Sequence, residues 1–111
     1  MISFFLDMSL KAYSTDFDIS YEMGEFNYAT DAVEDCFGEE AEVYRSEEGC
    51  IMFIPRDVVE SSIEDWKTID RSSVVMESSV TGDTFDAATC IEFFEHCLAH
   101  QKGSTIRLYW I

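Results

Sequence analysis

The sequence predicts an α+β domain: a single mixed, mainly antiparallel sheet, in the order ββαββαβαβ, with two or three helices packed on it. Three observations carry that expectation. Several segments alternate apolar and polar residues with period two, the mark of half-buried strands. Others repeat apolar residues at helical spacing. The two kinds are intermixed without the regular β–α alternation of a parallel sheet. At 111 residues one globular domain spanning 1–111 is expected, since domains run about 100–200 residues. Hydrophobic residues at 47% and aromatics at 14% are enough for a core and exclude a disordered acidic tail.

Residues 2–11 alternate strictly, with Ile2, Phe4, Leu6, Met8 and Leu10 on one side. Residues 12–15 read as a short loop, and Phe17, Ile19, Tyr21 and Met23 as the returning strand of a hairpin that ends near Gly24. Asn27 is placed to cap a first helix whose apolar face is Ala29, Val33, Cys36 and Phe37, with Gly38 as its stop. Residues 41–46 and 50–54 flank Glu47-Glu48-Gly49, a three-residue turn between a second pair of strands. The run Cys50–Ile54 is apolar throughout, which predicts a central strand covered on both faces.

Pro55 ends that strand, and Asp57 with Glu60 resembles a capping box before a helix facing the core with Val59, Ile63 and Trp66. Residues 73–80 read as a strand, followed by a turn at Thr81-Gly82-Asp83. A third helix is expected from about Thr84 to Gln101, with Gly103 as its stop. Its stripe is Ala87, Cys90, Ile91, Phe94, Cys97 and Leu98, with Phe93 at the edge. Residues 104–111 close the chain as an alternating strand in which Ile106, Leu108 and Trp110 face the core. Removing those last eight residues is expected to unfold the domain.

Charge narrows the function classes. Twenty-three acidic residues against seven basic ones leave a net charge of −16. Direct binding of a nucleic-acid backbone needs the opposite excess, and adsorption to an anionic membrane is disfavoured for the same reason. The N-terminal apolar run is broken by Asp7 and has no basic residue ahead of it, so no signal peptide is expected. Cys36, Cys50, Cys90 and Cys97 form no C-x-x-C pair. They read as reduced, mostly buried thiols of a cytoplasmic protein.

No catalytic motif stands out, and the expectation is a non-enzyme without cofactor or bound metal. Glu92, His96 and His100 are spaced four apart on one helix, but His96 projects away from the apolar stripe and a metal site would want a further ligand. The serines lie in no G-x-S-x-G turn. Gly82 stands without the lysine of a phosphate-binding loop.

What remains is the distribution of carboxylates. Asp31, Glu34, Asp35, Glu39, Glu40, Glu42, Glu47 and Glu48 face one cation, Arg45, within residues 31–48. Tyr28, Phe37 and Tyr44 are interleaved among them, and Asp57, Glu60 and Glu64 add a smaller patch. Aromatics among carboxylates can bury apolar area and stack on arginine while the charge speeds encounter. The expected function is an acidic inhibitor that occludes the basic cleft of a nucleic-acid-acting enzyme, in general character similar to small acidic immunity proteins that neutralise nuclease toxins. A DNA mimic of the anti-restriction or anti-CRISPR kind is the same physics with another target. The alternative is a small acidic secretion chaperone, with Phe5 and Phe93 as client contacts. The partner expected is a basic protein, with the chain itself a monomer or weak dimer.

Overall fold

The structure is a computed structural model and describes residues 12–15, 20–22 and 26–110. The fold is α+β. Five strands form one sheet: β1 (Ala12–Thr15), β2 (Ser20–Glu22), β3 (Glu42–Ser46), β4 (Gly49–Pro55) and β7 (Thr105–Trp110), in the spatial order β2-β1-β7-β4-β3. Three helices accompany it: α1 (Thr30–Phe37), α2 (Arg56–Trp66) and α3 (Ala87–His100). A separate two-stranded ribbon pairs β5 (Val74–Glu77) with β6 (Thr84–Asp86). All pairings among the described residues are antiparallel.

Several expectations need correction. Residues 12–15 are not a loop but strand β1, which pairs with β2 and with β7. The strand expected over 2–11 lies outside the described residues. The strand at 73–80 does not join the main sheet. Its partner is Thr84–Asp86, which the helical pattern had absorbed into the third helix. That helix starts at Ala87 because Asp86 takes the N-cap position and accepts from the Thr89 N–H at 2.8 Å. Its stop is also earlier, at Gln101 rather than Gly103. Asn27 does not cap α1, whose N-cap is Ala29 with no side-chain bond. The capping box at Asp57 does not form either. Asp57 sits inside the first turn of α2 and accepts from the Val58 N–H.

One core joins the helices to one face of the sheet. Met52, Ile54, Ile106, Leu108 and Trp110 point into it from β4 and β7, and Val33, Val59, Phe94 and Cys97 meet them from the helices. Phe26, Phe85, Phe93 and Phe94 form an edge-and-stack aromatic cluster beneath the ribbon. Trp110 is fully buried and donates its indole N–H to the Phe26 carbonyl at 2.9 Å, so its one polar atom is satisfied. β7 lies between β1 and β4, so the last strand of the chain is internal to the sheet. β1 reaches along it only to Leu108. At Arg107 the buried Gln101 side chain takes over, accepting from the Arg107 N–H and donating to its carbonyl, both at 2.8 Å.

β4 is internal to the sheet, as expected, but among the described residues only one of its faces is covered, not both. Cys50, Met52 and Ile54 are buried, whereas Ile51 is 45% exposed and Phe53 half-buried. The apolar run satisfies two different neighbours, the core on one side and cross-strand side chains on the other. The turn joining β3 to β4 is also tighter than expected. Ser46 pairs with Gly49, which leaves Glu47 and Glu48 alone at the tip.

Candidate protein-docking surface

The acidic segment is built from a helix, a turn and an edge strand in succession. α1 ends where Gly38 adopts φ 57°, a conformation costly for a side chain. Glu39 and Glu40 follow in a single 3-10 turn over Gly38–Glu40. The chain then enters β3, which among the described residues is one of the two end strands of the sheet. No basic residue lies in the last turn of α1. Glu34, Asp35, Glu39 and Glu40 therefore crowd the negative end of the helix dipole, where carboxylates are disfavoured.

Alternation along β3 divides its side chains between two faces. Val43 packs against the core, and Arg45 pairs with Glu34 of α1. Tyr44, 58% exposed, lies on the open face, in edge contact with Phe53 at 5.8 Å between ring centroids. Its hydroxyl donates to Glu42 Oε2 at 3.0 Å, and that bond, together with the carboxylate's charge, pushes the phenol's pKa up. Glu40, Glu42, Tyr44 and Phe53 line an open groove of about 810 Å³. Lys102 and Arg107 line it as well, and Arg107 on β7 stands directly opposite Phe53.

The twelve expected docking residues thus separate. Glu40, Glu42 and Tyr44 line one groove on the open face, whereas Glu34 lies on the helix side of β3, paired with Arg45, and Asp35 and Glu39 are exposed beside them in the chain. Glu47 and Glu48 stand at the hairpin tip, about one strand length away. Glu64 is two residues before the end of α2, which abuts the end of α1 through the Phe37–Trp66 ring contact at 6.4 Å. Asp57 and Glu60 are exposed on the opposite half of that helix. Asp31 faces the other way: its carboxylate accepts from Ser78 Oγ at 2.8 Å, Ser79 N at 2.7 Å and Ser79 Oγ at 3.1 Å. Partial burial alone would raise its pKa, but these bonds outweigh that and hold it below 3.8. It ties α1 to the ribbon. Nothing in residue spacing reveals this bond, because its partners are 47 and 48 residues apart in the chain.

Of the interleaved aromatics, Phe37 is buried while Tyr28 and Tyr44 are exposed. Tyr28 has φ 65°, uncommon for a residue other than glycine. Phe93, expected at a surface edge, is only 2% exposed. The client contact required of it by the chaperone alternative is inside the core, and Phe5 lies outside the described residues.

The remaining chemistry-bearing side chains do not assemble a centre. The rings of His96 and His100 lie tilted at 36° to each other with centroids 4.1 Å apart. Desolvation and the neighbouring imidazole lower the His96 pKa. Among the described residues no three His, Cys, Asp or Glu side chains converge to hold a metal ion. Cys50, Cys90 and Cys97 are buried, and none of the four cysteines is in a disulfide. Cys36, expected on the apolar face of α1, is instead exposed as a residue, yet desolvation of its sulfur against the protein pushes the thiol up to about 11. No helix among the described residues is long and apolar enough to cross a membrane. The chain matches no protein-family model, no curated protein and no solved structure.

Proposed function

We propose that this chain is an acidic protein inhibitor that binds and occludes the basic active-site cleft of a nucleic-acid-acting enzyme, the foremost instance being an immunity protein that neutralises a nuclease toxin in the cytoplasm. One observation carries the reading. The carboxylates are concentrated where the fold's own electrostatics oppose them, at the negative end of α1 and on through the 3-10 turn onto an edge strand. The cation nearest to them is committed to Glu34. Solubility alone would be served by carboxylates spread evenly or set at helix N-termini. Local rules are broken most often where function requires it. Carboxylates held on a rigid surface can occupy positions where a basic cleft would bind phosphates.

The test begins with affinity capture of the partner from the native host and continues with its association rate across ionic strength. Steered association reaches about 10⁸–10⁹ M⁻¹s⁻¹ at low salt against about 10⁵–10⁶ without steering. A captured basic protein should lose on-rate steeply as salt rises. The variant with Glu34, Glu39, Glu40 and Glu42 changed to glutamine should lose it even at low salt. A salt-independent on-rate, or full protection by the amide variant, refutes the proposal.

A further inference from the structure

Building on that proposed function, we propose that the partner engages β3 by strand addition: an extended basic segment, with arginine at alternate positions, pairs with the outer edge of β3 and lays an arginine against Tyr44 and Glu42. Among the described residues β3 is paired on one side only, with β4. The backbone N–H and C=O groups along its other side form a template that an incoming strand can complete. Main-chain bonds supply affinity in that mode, and the side chains beside the edge choose the sequence that is accepted.

Those side chains are anionic and aromatic on the open face. Glu42 and Tyr44 share it, held together by the Tyr44–Glu42 hydrogen bond, and Phe53 braces the tyrosine ring from β4. Arg45 belongs to the other face, where Glu34 takes it. A side chain on the added strand would stand about 4.5–5.5 Å, Cβ to Cβ, from the β3 residue opposite it. From there a guanidinium reaches the Tyr44 ring for cation–π contact and the Glu42 carboxylate for a forked ion pair. The groove of about 810 Å³ opens on this side, and Glu40 also lines it. Lys102 and Arg107 line it too, Arg107 on β7 directly opposite Phe53, so the carboxylates of Glu40 and Glu42 are what draw a guanidinium to the β3 side. A second copy of this chain is the wrong occupant, because each copy carries a net charge of −16 and repels the other.

The probe is a short synthetic peptide alternating arginine and threonine, added to the full chain. The readouts are backbone amide exchange and chemical shifts over residues 42–46. The peptide should slow exchange of the outward amides of β3. A copy N-methylated at the amides of its pairing edge keeps the charge and should bind at least about tenfold more weakly. Glu42→Gln and Tyr44→Ala should each weaken the parent peptide. Equal binding by the methylated copy, perturbation confined to α1 or α2, or no binding at all overturns strand addition. Those three outcomes leave the acidic-inhibitor reading standing on its own salt test. Outward amides already protected in the free chain, or concentration-dependent dimerisation that protects them, also overturn it by assigning the edge to another occupant.

Discussion

Replacing Asp31 with alanine separates a carboxylate that holds the fold from those left exposed at the surface. The side chain accepts three hydrogen bonds, one of them from Ser78, which is itself 1% exposed. A hydrogen bond to a charged group is worth about 1.5–3 kcal/mol, and a buried donor left without its acceptor costs about 1–3 kcal/mol. The three bonds share one carboxylate and the two from Ser79 are exposed, so their values do not add. A loss of about 2–3 kcal/mol follows. For a chain of this size that lowers Tm by about 10 °C, and urea melts should show a lower midpoint with an unchanged slope. The pH dependence has a definite sign. Because the folded pKa of Asp31 lies below its ordinary 3.8, its contribution is fully present above that value. It is lost as pH falls through the folded pKa. The gap between wild type and Asp31→Ala should hold constant near neutrality and close in the acid range below about pH 4. A variant within about 0.5 kcal/mol of wild type at neutral pH would refute the structural role given to Asp31, as would a gap that widens with acid.

Deleting residues 104–111 should abolish the cooperative melt. It removes β7, internal to the sheet, with Ile106, Leu108 and Trp110 all fully buried. Each contributes about 1.5–3 kcal/mol by burial, a large part of the ~5–15 kcal/mol available to a domain. A truncated chain that still melts cooperatively by circular dichroism would contradict the sheet order. Cys36 should react slowly with a disulfide reagent at pH 8 despite its surface position, with the rate climbing toward pH 11, since its thiol is pushed up to about 11 and the thiolate is the reactive form. Rapid stoichiometric labelling at pH 7 would contradict that environment.

Strands with one buried face were legible because period two survives any tertiary arrangement. Ile106, Leu108 and Trp110 point inward as their alternation requires, and β3 and β4 pair as the intervening turn implies. Short elements were not legible. β6 has three residues, too few to show a period, and Thr84–Asp86 therefore merged with the helix that follows. β1 carries no alternation to distinguish it from a loop and is a strand because β7 and β2 bond to it. Phe93 looked peripheral on a helical wheel because a wheel assumes one covered side. The ribbon and Phe26 cover a second side.

The acidic segment was likewise visible as a composition, and composition alone determined its sign and thus the charge of any partner it could attract. Tertiary structure decided how the carboxylates are used. Asp31 was drawn into a bond with Ser78 and Ser79, and Arg45 was folded back onto Glu34. Glu42 and Tyr44 were left on the open side of an edge strand. Charge is a sum over residues and is indifferent to order in space. Whether a carboxylate is satisfied or available depends on which distant segment the fold sets beside it, and local sequence does not encode that.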